Sequence, residues 1–133
     1  MATVKSFEEL EIWKLARVLC QDIFEVIRKE MFSRDFGLKN QINSSSGSIM
    51  DNIAEGFERE GTKEFLQFLA IAKGSAGECR SQLIRAYDRQ YLSEDEFNDL
   101  ANKTHLLMRK ISNFMTYLRN TDLKGKKFPQ KPQ

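Results

Sequence analysis

The chain has little of what interrupts or staples a small fold. Its 133 residues include two prolines and seven glycines, so few positions force a helix to stop. Two cysteines, Cys20 and Cys79, are too few for a disulfide framework. Both fall at apolar helical spacings and read as reduced core thiols. There is one histidine, His105, and Asn102 stands three residues before it. That excludes the paired Glu-x-x-His repeats of a di-metal carboxylate bundle. No glycine-rich phosphate loop, Ser/His/Asp set or Cys/His zinc spacing occurs. The expectation is a protein that is not an enzyme, with no cofactor, metal or small-molecule substrate. No run approaches the ~18 apolar residues of a membrane span. The start, MATVKSFEEL, lacks the apolar stretch of a signal peptide. A cytoplasmic location with no membrane partner is therefore expected.

What remains is 41% hydrophobic and 30% charged, a composition suited to one amphipathic helical domain of this length. The net charge of +2 is unevenly placed. In residues 120–133, Lys124, Lys126, Lys127 and Lys131 against Asp122 give +3, which leaves −1 for the other 119 residues. A nucleic-acid binder would therefore have to gather its basic groups on one face, since the average excess is absent.

The stretch Gln41–Arg59, QINSSSGSIMDNIAEGFER, carries two stripes at once. Ile42, Ile49, Ile53 and Phe57 mark an apolar face. Gln41, Ser45, Ser48, Asn52, Glu55 and Arg59 alternate by four and three and line a polar one. The stripes keep phase through Ser44–Ser46 and Gly47, so the segment is expected to be helical despite poor propensity. Gly47 reads either as tolerated or as a point where another backbone comes close.

Four long helices are expected. The first spans about 7–30, opened by the capping box of Ser6 and Glu9. Its buried set is Leu10 or Trp13, Ala16, Cys20, Ile23 or Phe24, and Ile27. The second follows a Ser33 cap and ends near Arg59. Gly61 breaks the chain there and Thr62 caps the third helix, about 63–89. The third helix seam is Phe65, Leu69, Ala72, Ala76, Cys79, Leu83 and Ala86. The fourth, about 94–119, starts at the Ser93/Glu96 box, and its seam is Phe97, Leu100, Thr104, Leu107, Ile111, Phe114 and Leu118. Short connections make neighbours antiparallel. The fold class is thus all-α, an up-down-up-down antiparallel four-helix bundle over 1–119, with a flexible basic tail over 120–133.

The run Ser48-Ile49-x-x-Asn52-Ile53-Ala54-Glu55-Gly56-Phe57-x-Arg59 is followed by Lys63-Glu64-Phe65-x-x-Phe68-Leu69-x-Ile71-Ala72-x-Gly74-Ser75-x-x-Glu78. With Phe7-x-x-Leu10-x-x-Trp13-x-x-Ala16 upstream, this pattern resembles the bacterial 23S ribosomal RNA intervening-sequence protein family, over roughly residues 7–118. One departure is that Asn43, Ser44 and Ser45 stand after Gln41, where the family often has basic residues. The resemblance implies a four-helix bundle and a ring-like homopentamer. By its family name it also implies a link to structured RNA or DNA. The accessory proteins of diversity-generating retroelements look like the same fold serving nucleic acid, which is an analogy of fold.

Reflection of the second and third helices about residue 60 would set Ser45 near Ser75 and Gln41 near Glu78, with Asn52 and Glu55 opposite Phe68 and Phe65. Gln41, Ser48, Asn52, Glu55, Arg59, Ser75 and Glu78 are then candidates for a polar layer that fixes register, or for a ligand or subunit surface. Apolar residues off the seams (Leu15, Leu19, Val26, Leu66, Phe68, Ile71, Leu106, Met108 and Met115) suggest a surplus that copies of the chain would cover. Arg80, Arg85, Arg89, Arg109 and Lys110, with Lys124, Lys126 and Lys127 of the tail, are the nucleic-acid candidates. The alternative for them is a solvated, salt-bridged face. The leading function is a non-catalytic homo-oligomer that serves as a nucleic-acid accessory. The alternative is a structural or protein-interaction scaffold.

Overall fold

Each long amphipathic segment must bury one face, and the segments do so against each other. A computed structural model describes residues 4–121. Among them it has a 3-10 turn at Phe7–Glu9, α1 at Glu11–Ile27, a short α2 at Glu30–Arg34, α3 at Phe36–Glu58, α4 at Thr62–Asp88 and α5 at Glu94–Arg119. The described residues contain no strand. The helices pack as a ring: α3 on α4 most extensively, α4 on α5, α5 on α1 and α1 on α3. The chain is an antiparallel four-helix bundle with one short helix inserted. No helix among the described residues is long and apolar enough to cross a membrane.

The seams of α3, α4 and α5 follow the spacing that predicts them. Ile42, Ile49, Ile53 and Phe57 are fully buried, as are all seven α4 seam residues. On α5 the seam from Leu100 to Leu118 is buried, while Phe97 is half-buried and stacks on Tyr87 at 4.7 Å. The Ser93/Glu96 box forms, with Glu96 N donating to Ser93 Oγ at 3.1 Å and Ser93 N to Glu96 Oε1 at 2.9 Å. α3 runs unbroken through its serines, where Ser46 donates to the carbonyl three residues back and Ser45 Oγ lies 3.3 Å from the Ile42 carbonyl. Such local bonds give the hydroxyls a partner without breaking the helix.

The first 35 residues differ from expectation. The Ser6/Glu9 box closes the 3-10 turn, and Glu9 Oε2 accepts from the backbone N–H of Lys5 and Ser6, both at 3.0 Å. Leu10 is then extended and fully buried, so α1 begins at Glu11. The buried face of α1 is Ile12, Ala16, Leu19, Ile23, Val26 and Ile27. Cys20 and Trp13 are only half-buried, and Phe24 is 53% exposed. α1 stops at Ile27 because Lys29 is extended. α2 then buries Phe32, which stacks on Tyr91 at 5.1 Å. Ser33 lies inside α2, and the cap of α3 is Asp35, whose Oδ1 accepts from Leu38 N at 3.2 Å. At the α3–α4 turn the left-handed residue is Glu60 (φ 64°), Gly61 is the cap position and Thr62 is the first helical residue.

Much of the expected apolar surplus is absorbed within the chain, that of α1 by this shift of one position. Leu19, Val26 and Met115 are buried. Leu15, Leu66 and Met108 pack on the core, and Phe68 and Leu106 are half-buried. Ile71 alone of the nine is exposed, at 51%. The large apolar groups that do reach the surface include Phe24, Met31 and Phe36, the last 70% exposed. Gly47 shows no close approach of another backbone within the chain, because a Cβ there would meet nothing within 4 Å.

The tightest helix contact lies at Gly56, where an added Cβ would fall 2.7 Å from Phe68 Cβ and 2.9 Å from Phe65 Cδ1. One of those obstacles is the root of a side chain, which cannot swing away. Gly56→Ala is expected to lower stability by about 1–3 kcal/mol through overpacking, measured by urea unfolding.

Candidate functional site: the polar seam and the basic faces

The polar stripe of α3 meets α4 along one seam. Ser45 Oγ donates to Gln82 Oε1 at 2.6 Å, and both residues are buried. Ser48 and Ser75 share a hydrogen bond of 2.8 Å between hydroxyls. Asn52 Nδ2 donates to the Ser48 carbonyl at 2.8 Å and to Ser48 Oγ at 3.0 Å. Gln41 Oε1 accepts from Arg85 Nη2 at 2.7 Å. Near the turn, the Arg59 guanidinium lies 5.1 Å over the Phe68 ring. The stripe is thus a ladder along the hairpin, formed chiefly by side chains that satisfy one another. Glu55 and Glu78 are exposed and stand outside it.

The register differs from simple reflection about residue 60. Partners on α4 lie three to seven residues farther from the turn, so Ser45 meets Gln82 instead of Ser75, and Gln41 meets Arg85 instead of Glu78. Side-chain direction accounts for about two of those positions. Cβ bonds tilt toward a helix N-terminus, away from the turn on α3 and toward it on α4. A residue on α4 must therefore start farther out to reach the same point. Gln82 was missed as a partner, although Phe68, Ser75, Gln82 and Arg89 form a seven-residue repeat on α4 that marks its half of the seam.

At the far end of the seam Asp35 joins three elements. It caps α3, and its Oδ2 accepts from Arg89 Nη1 at 2.8 Å and from the Tyr91 hydroxyl at 2.9 Å. The Leu38 amide first, and then the Tyr91 hydroxyl, hold its carboxyl below the ordinary range, and Asp35 in turn raises the Tyr91 phenol. The two thiols are shaped by burial. Cys79 is pushed up to about 12 and Cys20 is raised, so neither is a thiolate at neutral pH.

The basic candidates separate. Arg85 and Arg89 are held against α3 by Gln41 and Asp35. Lys110 pairs with Glu11 of α1 at 3.4 Å. The α3–α4 and α1–α5 seams lie on opposite sides of the bundle, so these residues do not make one patch. Arg80 and Arg109 are exposed and make no ion pair among the described residues. Lys124, Lys126 and Lys127, and nearly all of the expected flexible tail, lie outside the described residues. His105 is exposed. An open depression over Gly47 is lined by Cys20, Asn43, Ser44, Asp51 and Asn52. Its lining is polar and shallow, with no convergent set of catalytic groups. Among the described residues no three His, Cys, Asp or Glu side chains are placed to hold a metal ion.

The family model of the 23S rRNA-intervening sequence protein matches residues 8–113. The chain belongs to that family. No curated protein matches the sequence. Among solved structures, the chain is similar to a protein of unknown function from the S23 ribosomal protein family of Bacteroides thetaiotaomicron. The two share 19% identity over 78% of this chain and 97% of that one, with a TM-score of 0.72. At that identity the likeness shows the shared fold. In this intervening-sequence family member, the motif Asn52-Ile53-Ala54-Glu55-Gly56 has a structural meaning at three of its positions. Asn52 ties into the seam, Ile53 is core, and Gly56 admits Phe65 and Phe68.

Two predictions follow from the ladder's geometry. Asn52→Ala is expected to cost about 1 kcal/mol, since it removes bonds to Ser48, whereas Glu55→Ala changes little; paired thermal melts check this. Asp35 has a folded pKa below its unfolded value near 4, so its contribution is present above that pH and is lost as pH falls through the folded pKa. Asp35→Asn is expected to flatten the loss of stability below about pH 4, measured by denaturation from pH 2 to 7.

Proposed function

We propose that this protein is a non-catalytic, cytoplasmic, homo-oligomeric bundle that contacts the phosphates of structured RNA or DNA. An acid-poor stretch of α4 and α5 carries the reading; over their full lengths these two helices hold eight bases and seven acids. From Phe65 to Tyr87 and from Leu100 to Arg119 the chain has seven lysines and arginines against one acid, Glu78. The segments that form α1 and α3 hold more acids than bases. A near-neutral chain so arranged presents phosphate with one attractive side. No base-reading element is implied, so binding would follow charge and shape.

Assembly supports the same reading, because repeating a weak phosphate contact around a ring multiplies it. The family resemblance implies five copies. Exposed Phe24, Met31, Phe36 and Ile71, and the open surface above Gly47 and Gly74, offer area that a second copy could cover. The exposed apolar groups also favour the second reading, a protein-interaction scaffold with no affinity for nucleic acid.

Fluorescence anisotropy with a structured ribosomal RNA fragment in a salt series separates the readings. The accessory role predicts binding at about 50 mM salt that weakens steeply toward 200 mM. Absence of binding at the lowest salt favours the scaffold. Sedimentation velocity of the same samples reads the assembly, and a single-copy particle at micromolar concentration would overturn the oligomer.

A further inference from the structure

The outer face of α3 is bare in two ways that coincide. Gly47, Asp51, Glu55 and Glu58 are spaced four, four and three apart and share that face. The three acids are exposed, and none makes an ion pair among the described residues. They run to the C-terminal end of the helix, whose last turn holds no basic residue. There the helix dipole disfavours negative charge, and like charges one turn apart disfavour each other. Arg59, next in the chain, is drawn over the Phe68 ring. Other exposed acids are better placed. Glu25 and Glu30 pair with Arg28 and Arg34, while Glu64, Glu94 and Asp95 stand in first turns, where the dipole favours them.

One turn before Asp51 the same face opens into the depression over Gly47, where a Cβ would meet nothing within 4 Å. A second depression, with Phe24 and Met50 in its wall, continues it, since the two share Cys20 and Asn43. From the end of the bundle inward, the face thus presents three carboxylates and then a hollow.

α5 delivers a chain segment to that end. Phe57, Phe65 and Phe114 meet edge-on and so lie at one level. Arg119, the last residue of α5, is about 8 Å farther out at ~1.5 Å per residue, beside the α3–α4 turn. Residues 122–133 follow. They carry Lys124, Lys126, Lys127 and Lys131 against Asp122, a balance of +3, and one aromatic residue, Phe128. The order matches that of the face, cations first and then an apolar group. The spacing matches too. Lys124 and Phe128 are at most ~14 Å apart in an extended chain, and Glu58 and Gly47 are about 16 Å apart along α3. From Thr121, three residues reach up to about 11 Å before the Lys124 side chain adds its own length. That suffices to cross the diagonal of a bundle whose neighbouring axes are about 8–10 Å apart.

We infer that residues 122–133 fold back onto the outer face of α3, with Lys124, Lys126 and Lys127 along Glu58, Glu55 and Asp51 and with Phe128 at the hollow over Gly47. The contact relieves the row of like charges and covers the hollow. It is separate from the nucleic-acid reading, because it needs no second molecule. It also gives these lysines a carboxylate partner that any phosphate would have to displace.

Carbodiimide treatment of the full chain, which joins a lysine to a carboxylate in contact with it, tests the contact. A mixture of isotope-labelled and unlabelled chains tells links within one chain from links between copies. Peptide mapping is expected to find Lys124, Lys126 or Lys127 joined to Asp51, Glu55 or Glu58 of the same chain. The yield at about 50 mM salt is expected to exceed that at about 500 mM at least fivefold, as screening predicts. A second readout uses Trp13→Phe/Phe128→Trp, which moves the one indole to the segment. Its emission is expected at shorter wavelength than that of the same chain with Asp51→Asn/Glu55→Gln/Glu58→Gln, the two forms being matched by circular dichroism melting. Links spread equally over Glu8, Glu64 and the α3 acids, links between copies only, no link to α3, or an emission unmoved by neutralising the row would each overturn the contact. None of these outcomes touches the nucleic-acid reading, whose test is the salt series with RNA.

Discussion

The structure depends on how closely α3 and α4 approach beside their turn. Gly56 leaves room for the Phe65 ring and the root of Phe68. Phe65 is then free to pack edge-on against both Phe57 and Phe114, which ties α5 to the same point. From that fixed end the two helices run side by side, and the polar ladder sets their alignment. Apolar contact would tolerate a slide of one turn, since one Ile or Leu resembles the next. Ser45 and Gln82 would not, because a slide strands two buried polar groups without partners. Steric closeness at one end and hydrogen-bond identity along the length thus give one register.

That division explains what could be read from the residues. The α4 seam was legible because Phe65 through Ala86 keep a strict alternation of four and three, flanked by residues that are mostly polar or small. α1 offered two apolar stripes, one through Trp13, Cys20 and Phe24 and another through Ile12, Leu19 and Val26, both sharing Ala16. They differ by a rotation of about 100°. Only the neighbours decide between them. Leu10, extended and buried, and the Phe7 ring held edge-on to Trp13 at 5.2 Å leave the second stripe facing the core. The Ser6/Glu9 box was a correct sign of a turn and an incorrect sign of where the long helix begins, since a capping box is satisfied as well by a 3-10 turn. Part of the displacement of the α3–α4 pairs comes from something spacing alone omits, the tilt of side chains along each helix.

The basic residues were the least legible, because a charge string does not show which cations have partners. Arg85 and Arg89 look as available in sequence as Arg80. In three dimensions Gln41 of α3 and Asp35 at its cap hold the first two, while Arg80 is exposed and makes no ion pair among the described residues. Exposed ion pairs add little to stability, so the pairing of Lys103, Lys29 and Lys110 along the α1–α5 seam matters more for what it removes. It leaves none of those three lysines as a free charge.

An arrangement of that kind constrains the orientation in which an acidic polymer could approach. Screening limits the reach of surface charge to about 8–10 Å at physiological ionic strength. A phosphate strand on the α3 side would meet Asp51, Glu55 and Glu58 in an exposed row, with Arg59 drawn aside onto Phe68. Orientation would then be selected by repulsion from one face as much as by attraction to the other. A protein whose average charge is almost nil can in this way present one attractive side, provided its copies assemble with that side outward.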